Sequence, residues 1–181
     1  LLSRENDWNV IADTPGSKRV DALDFSINSE SIAYSGSSTS LNEINASDFS
    51  DIVAYDGIHS GKVTCASYSS DGNYILTGAE DGRIVKWNRS DKSGQTIYNF
   101  ESLGISDCSY SALGKIAFLS TGGSLFVYSE NIEIEYSEDL TEVSKLRWSS
   151  DGLRLFVVQS FGGADVVSYT KTSDSWARGS V

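Results

Sequence analysis

One histidine, one threonine and one aspartate have the side chains that a nucleophilic hydrolase needs. His59 is the only histidine of the chain, and Thr77 and Asp81 follow it by 18 and 22 residues. In such an enzyme the imidazole takes a proton from the hydroxyl while the carboxylate orients the ring. The surrounding sequence argues against this chemistry, because Thr77 lies inside an apolar run and no G-x-S-x-G turn presents a nucleophile. We therefore predict that the chain is not an enzyme, with no catalytic residue, cofactor or metal site.

The residues that would position these side chains belong to a unit that occurs four times. Each copy ends in an aromatic residue followed by serine, and the aromatic positions are spaced by 43, 42 and 38 residues. The four copies are Val20, Leu23, Phe25, Ser26; Val63, Ala66, Tyr68, Ser69; Ile105, Cys108, Tyr110, Ser111; and Val143, Leu146, Trp148, Ser149. A repeat of about forty residues with short apolar runs is typical of the four-stranded blades of a β-propeller.

Turn signals follow three of the copies and separate two strands in each. The turns are Ser70-Asp71-Gly72, Ala112-Leu113-Gly114 and Ser150-Asp151-Gly152, and each ends in a glycine that can take the positive φ of a hairpin. The apolar runs at 74–78, 116–120 and 153–158 predict second strands. Third strands are predicted to end at Ile44, Trp87, Tyr128 and Tyr169, and fourth strands are predicted at 52–55, 96–100, 132–136 and about 175–178.

These elements predict an all-β propeller, since a sheet of this size can bury both faces only by stacking on its neighbours. The predicted blades are 20–56, 63–100, 105–136 and 143–178, with 7–11 as the outer strand of a preceding blade. The sequence opens within a unit and without Met. We therefore expect these blades to be part of a larger, seven-bladed ring, whose other blades come from the same chain or from another subunit.

The second unit resembles a WD40 repeat. Residues 56–63 are similar to the loop that carries a Gly-His pair in that family, and residues 79–88 are similar to its terminal Trp-Asp segment, with Asn88 in place of Asp. The resemblance implies that His59, Thr77, Asp81 and Trp87 form one structural hydrogen-bonded set. The other units lack it: the positions matching His59 fall near Gly16, Phe100 and Glu138, and those matching Trp87 hold Ile44, Tyr128 and Tyr169.

The charge balance favours protein partners over nucleic acid. The chain has 14 basic and 25 acidic residues, a net charge of −11. Such a surface repels phosphate, so we expect no direct nucleic-acid binding, and it attracts partners with basic segments. No apolar run is long enough to cross a bilayer and no signal peptide opens the sequence, so we expect no membrane insertion.

The two cysteines are predicted to be free thiols. Cys108 shares the inward position of its unit with Leu23, Ala66 and Leu146, whereas Cys65 lies one residue before that position. The offset points the two side chains to opposite faces of their sheets, from which we predict no disulfide. Free thiols favour an intracellular location, in the cytoplasm or nucleus. The Asn-x-Ser matches at Asn45 and Asn88 would then have no role, because they matter only in a secreted protein.

A partner surface is predicted on one face of the ring. Loops between successive blades share a face, which we call the loop face, with those between second and third strands. WD40-like proteins usually bind peptides on this face, and the resemblance implies the same for this chain. Its candidate residues are Lys62, Glu80, Arg83, Thr121, Glu142 and Phe161. Phe161 stands beside two glycines in a polar loop, so it is either an anchor for a partner or a residue packed on the neighbouring blade.

The sequence therefore predicts a non-catalytic interaction scaffold, a subunit of an intracellular multiprotein complex. One alternative is a propeller subunit of a ribonucleoprotein or nucleic-acid-processing assembly that contacts RNA through other regions. A second alternative is a propeller hydrolase.

Overall fold

The computed structural model describes residues 19–50, 52–159, 165–173 and 175–180. All regular secondary structure in these residues is β-strand, which confirms the predicted all-β fold. The described residues include no helix long and apolar enough to span a bilayer. The strand predicted at 7–11 and the candidate residue Phe161 lie outside the described residues.

The described strands form four antiparallel sheets of four, and each sheet takes four consecutive strands in order. Sheet 1 consists of β1 (Ala22–Phe25), β2 (Ser31–Ser35), β3 (Leu41–Asn45) and β4 (Val53–Tyr55), and sheet 2 of β5 (Val63–Tyr68), β6 (Tyr74–Ala79), β7 (Arg83–Asn88) and β8 (Gly94–Asn99). Sheet 3 consists of β9 (Ile105–Tyr110), β10 (Ile116–Ser120), β11 (Ser124–Tyr128) and β12 (Ile134–Asp139), and sheet 4 of β13 (Val143–Trp148), β14 (Arg154–Gln159), β15 (Asp165–Lys171) and β16 (Trp176–Ser180).

The first strands of neighbouring sheets lie side by side, β1 next to β5, β5 next to β9 and β9 next to β13. Hydrogen bonds join them across the sheet boundaries. The Tyr68 N–H donates to Asp24 Oδ2 (2.7 Å), and the Leu146 N–H donates to Asp107 Oδ2 (2.9 Å). Between sheets 2 and 3 the Tyr110 N–H donates to the hydroxyl of Ser67 (3.1 Å). The first strands therefore form the inner side of the arc, and the fourth strands form its outer rim.

The hydrophobic core is divided into three layers, one between each pair of neighbouring sheets. The layer between sheets 1 and 2 includes Leu41, Tyr55 and Trp87, and the layer between sheets 3 and 4 includes Leu119 and Tyr169. The middle layer is rich in aromatic rings and includes Phe118 stacked on Phe126 and Tyr128, with ring centroids 5.4 and 5.5 Å apart; its other members include Cys65, Ile84, Ile105 and Cys108. This arrangement is the stacking that the repeat predicted.

The serine that follows the recurring aromatic residue closes the turn between the first and second strands of each sheet. The hydroxyl of Ser69 accepts the Tyr74 N–H at 2.9 Å and donates to Asp71 at 2.6 Å. Ser26, Ser111 and Ser149 accept backbone N–H groups in the same way. The turn glycines Gly72, Gly114 and Gly152 have φ between 70° and 76°, as the turn signals predicted. The recurring serine is therefore a structural residue of the turn.

The prediction of free thiols is wrong, because Cys65 and Cys108 form a disulfide with their Cα atoms 5.7 Å apart. Both cysteines are buried in the layer between sheets 2 and 3. Cys65 lies one residue before the repeat position that Cys108 occupies, and this offset was the reason to predict no bridge. A bridge between stacked sheets requires this offset, because the two side chains must point towards each other. Cys65 points forward from sheet 2, and Cys108 points back from sheet 3, so the side chains meet. The predicted intracellular location loses the support it drew from free thiols and stays a prediction.

Candidate functional site

The structure brings His59, Thr77, Asp81 and Trp87 together in sheet 2. The Nδ1 atom of His59 lies 3.3 Å from both carboxylate oxygens of Asp81, and its Nε2 atom lies 2.7 Å from the Thr77 hydroxyl. The Trp87 indole N–H donates to the same hydroxyl at 2.8 Å. Because the Thr77 hydroxyl accepts from the indole, it donates its own proton to Nε2 of His59. The proton of the imidazole is then on Nδ1, which donates to Asp81.

Four local elements position this set. His59 lies in the loop that enters β5, Thr77 lies in β6, Asp81 lies in the turn before β7, and Trp87 lies in β7. The loop and the turn approach closely because residue 61 is glycine, where a Cβ atom would lie 2.5 Å from the Asp81 nitrogen. Asp81 also accepts the backbone N–H groups of residues 60 and 83 at 2.8 and 3.0 Å. The carboxylate therefore joins the loop, the turn and the imidazole.

Burial sets the protonation state of the pair. It lowers the pKa of His59, and it outweighs the opposite effect of the Asp81 charge. Burial alone would raise the pKa of Asp81, but the N–H donors of Arg83 and Ser60 and the adjacent imidazole lower it. At neutral pH the pair is therefore a neutral imidazole beside a carboxylate.

The hydroxyl of this set is inaccessible to a substrate. Thr77 is 0% exposed, and the His59 side chain is 1% exposed. A nucleophile needs an open path to the atom that it attacks, and this hydroxyl is enclosed between an indole and an imidazole. What the four groups do is satisfy each other's hydrogen bonds inside a β-core, where an unpaired polar group would be costly.

Two other carboxylates accept tyrosine hydroxyls across a sheet boundary. Glu138 accepts the hydroxyls of Tyr136 and Tyr169 at 2.8 and 2.7 Å, and Arg178 donates to its other oxygen at 3.0 Å. Glu138 lies near the position that matches His59, and Tyr169 occupies the one that matches Trp87, so a direct carboxylate–phenol contact is found where the set is absent. This pairing was not predicted from the sequence. The sequence signal for it is a carboxylate, Glu138, near the histidine position together with a phenol, Tyr169, at the tryptophan position.

The second such carboxylate is Glu43, which is buried between sheets 1 and 2. It accepts the hydroxyls of Tyr55 and Tyr68 at 2.6 and 3.1 Å and pairs with the guanidinium of Arg89. Burial would raise the pKa of Glu43, but the Arg89 hydrogen bond and charge lower it. No group of three or more His, Cys, Asp or Glu side chains in the described part of the chain could hold a metal ion.

The described residues of the predicted loop face lie in one continuous row across sheets 2 to 4. The Glu80 N–H donates to the Lys62 carbonyl at 2.8 Å, and Gly104 lies between Glu80 and Thr121. The row continues through the backbone hydrogen bond from Leu140 to Gly123, at 3.0 Å, towards Glu142. Glu80, Thr121 and Glu142 are exposed.

The two cations of the loop face have partners within the chain. Lys62 Nζ lies 3.2 Å from Asp21, and Arg83 donates to the Ile58 carbonyl at 2.5 Å. Leu103, a large aliphatic side chain on this face, is 37% exposed and lies against Gly122. Leu103 was not predicted as a site residue, although it stands beside a glycine, as Phe161 does.

The opposite face also exposes large apolar side chains. We call it the turn face, because it holds the turns between first and second strands. Ile27 is 71% exposed, and Leu113 and Leu153 are each 51% exposed. Ile27 lies over the turn glycine Gly72 of sheet 2, and Leu113 lies over the turn glycine of sheet 4.

A cavity of about 250 Å³ opens on the turn face at the ends of the inner strands. All four sheets contribute to it, and its aromatic lining is the repeated aromatic position: Phe25, Tyr68, Tyr110 and Trp148. The phenol oxygen of Tyr110 is buried and has no hydrogen-bond partner among the described residues. From the sequence, this aromatic position was predicted only to mark the repeat.

Replacing Asp81 by Ala is expected to destabilise the protein by about 1 to 3 kcal/mol, because the buried imidazole and two backbone N–H groups lose their acceptor. Urea unfolding followed by tryptophan fluorescence measures the change. Asp56→Ala is the matched control, since Asp56 is an exposed carboxylate in the loop that precedes His59. If both variants unfold at the urea concentration of the parent, the hydrogen-bonded set does not stabilise the fold.

The single histidine allows its titration to be followed by NMR without assignment. We expect the pKa of His59 to lie below the value of about 6.5 of an exposed histidine. The unfolded chain then binds more protons than the folded chain in this range, so stability is complete above about pH 7 and falls as the pH drops below 6.5. His59→Gln should remove this fall. A ring that titrates at or above 6.5 would contradict the burial of the imidazole.

Comparison with known proteins agrees with this geometry. The WD40 family model, described as WD domain, G-beta repeat, matches residues 55–88, which contain the whole hydrogen-bonded set. No curated protein matches the sequence. Among solved structures, the chain is similar to the β-propeller domain of Cps50 (Swd1) from Myceliophteria thermophila, with a TM-score of 0.60 and 14% identity over 89% of this chain and 68% of that one. The chain is thus a β-propeller that contains a WD40 repeat.

Proposed function

We propose that the protein is a non-catalytic scaffold that binds protein partners on its turn face. The observation that carries the proposal is the group of exposed apolar side chains around an aromatic cavity that all four sheets form. Contiguous exposed apolar surface on a soluble protein marks sites of interaction. A fold of the WD40 type, with a rigid core and loops at both ends of every sheet, suits such a role.

The turn face provides both a pocket and a surrounding apolar surface. The rings of Tyr68, Tyr110 and Trp148 line the cavity, and Ile27 and Leu113 stand beside it. A cavity of about 250 Å³ can accept one large apolar side chain of a partner. Side chains that fill such a pocket at the centre of an interface usually contribute most of the binding energy.

Two carboxylates favour a basic partner segment on this face, where the one charged residue among the described residues that line the cavity, Arg147, is paired with Asp107 at 3.0 Å. Asp71 and Asp151 lie in exposed turns next to the apolar side chains. The Ser149 hydroxyl and the Leu153 N–H lower the pKa of Asp151, so this carboxylate is ionised at neutral pH. Together with the net charge of −11, these groups support a partner whose apolar anchor is flanked by lysine or arginine.

The absence of catalysis is part of the proposal. A catalytic relay of His59, Thr77 and Asp81 would need access to the Thr77 hydroxyl, which is enclosed. The loop face predicted from the sequence remains a second candidate surface. The positions of Lys62 and Arg83 weaken it, because both cations are already paired with oxygen atoms of this chain.

Two exposed leucines on opposite faces allow a direct test. We expect Leu113→Asp, on the turn face, to abolish co-purification of the partners that affinity capture and mass spectrometry identify with the parent protein. Leu103→Asp, on the loop face, is the matched control and should retain them. Melting temperatures of both variants should stay near that of the parent, because both side chains are partly exposed.

Loss of the partners with Leu103→Asp but not with Leu113→Asp would assign binding to the loop face and refute the turn-face proposal. Retention by both variants would refute it as well. Hydrolysis of a chromogenic ester by the parent, abolished by Thr77→Val, would contradict the scaffold role.

A further inference from the structure

We propose that Asn45 and Asn88 are N-glycosylation sites, and that the chain matures in a compartment that oxidises cysteines and transfers oligosaccharide to asparagine. Two independent observations support this: a disulfide between two sheets, and two Asn-x-Ser sequences in equivalent loops at the outer rim. The inference does not depend on the proposed scaffold function.

The disulfide indicates the redox environment. The bond joins Cys65 and Cys108, whose residues are 3% and 2% exposed, so it belongs to the packed layer between sheets 2 and 3. Its formation releases two electrons and two protons, which a disulfide of an exchange protein or of glutathione accepts. Disulfides form and persist in the secretory pathway and outside the cell, whereas thiols remain reduced in the cytosol.

The two asparagines occupy the same place in consecutive sheets. Asn45 is the last residue of β3, and Asn88 is the last residue of β7. Both loops then turn in the same way: the N–H four residues later donates to the asparagine carbonyl, at 3.0 and 2.9 Å, and Phe49 and Lys92 at that position have φ of 59° and 65°. The sequence Asn-x-Ser therefore occurs twice in one loop geometry.

The local contacts leave the acceptor nitrogen available. The side-chain oxygen of Asn45 accepts the N–H and the hydroxyl of Ser47 at 2.8 and 2.7 Å. The side-chain oxygen of Asn88 accepts the same two groups of Ser90, each at 2.9 Å. Neither Nδ2 atom donates a hydrogen bond to any described residue, and both serines are exposed. The amide oxygen is therefore held in place while the nitrogen makes no hydrogen bond to the described residues.

The modification is a group transfer with a defined balance. The Nδ2 atom attacks the anomeric carbon of an oligosaccharide carried on a lipid pyrophosphate. A carbon–nitrogen bond forms, the bond between the anomeric carbon and the phosphate oxygen breaks, and the pyrophosphate leaves with the electron pair. One amide proton is lost to a base. The acceptor sequence needs a serine or threonine hydroxyl two residues after asparagine, which Ser47 and Ser90 provide.

Sheets 1 and 2 differ from sheet 3 at this position. The residue that follows the third-strand aromatic or aliphatic position is Asn45 in sheet 1 and Asn88 in sheet 2, but Ser129 in sheet 3. Glycans would therefore cover the outer rim of two neighbouring sheets. The cavity on the turn face lies at the inner strands instead.

The test uses the protein purified from the cells that naturally produce it. Digestion with peptide N-glycosidase should increase its electrophoretic mobility and convert Asn45 and Asn88 to aspartate, as peptide mass spectrometry detects. The same sample, digested without reductant, should yield a peptide in which Cys65 is linked to Cys108. Unmodified asparagine at both positions would overturn the glycosylation sites, and free thiols at both cysteines would overturn the proposed compartment.

Matched serine variants, expressed in the same cells, separate the acceptor sequence from the loop structure. Ser47→Ala and Ser90→Ala should each abolish the glycan at the preceding asparagine only. Ser50→Ala and Ser93→Ala are the controls, because these serines bond to Asp48 and Asp91 in the same loops with the same geometry but complete no acceptor sequence. Loss of the glycan in the controls would contradict the assigned role of the acceptor hydroxyl.

Discussion

Every other feature of this protein depends on the stacking of one sheet on the next along the inner strands. A four-stranded sheet has two apolar faces and cannot bury both by itself. In this chain each boundary between sheets is filled by its own layer of buried side chains. Backbone N–H groups of the inner strands donate to side chains of the preceding sheet, which fixes how far each sheet is rotated from its neighbour.

Three sets of polar groups are paired inside these boundaries, and their chemistry is of two kinds. Sheet 2 contains the imidazole, hydroxyl, carboxylate and indole set, whereas Glu43 and Glu138 each join two tyrosines and an arginine. In each set the carboxylate or imidazole has hydrogen-bond partners within the chain, as polar groups withdrawn from water require. Because different chemistry can meet this requirement, the repeats diverge in sequence while the stacking is retained.

The repeat spacing was sufficient to predict the all-β fold, since apolar runs and turn glycines are local signals. The spacing of His59, Thr77, Asp81 and Trp87 likewise sufficed to bring these side chains together, because a family resemblance covered all four. Contacts between sheets were harder to predict. The disulfide was not predicted because Cys65 and Cys108 do not occupy equivalent positions of the repeat. A bond between stacked sheets joins side chains that point in opposite directions, so equivalent positions are not required. The turn-face cavity was missed for a similar reason, since no single repeat contains it.

Amide hydrogen exchange tests the stacking most directly. The N–H groups of Tyr68, Tyr110 and Leu146 have acceptors on a neighbouring sheet and should exchange only with global unfolding. Amides of the outer strands β8 and β12, whose side chains are more exposed, should exchange earlier through local opening. Exchange of the three inner amides as fast as that of the outer strands would contradict the stacking of the sheets through their first strands.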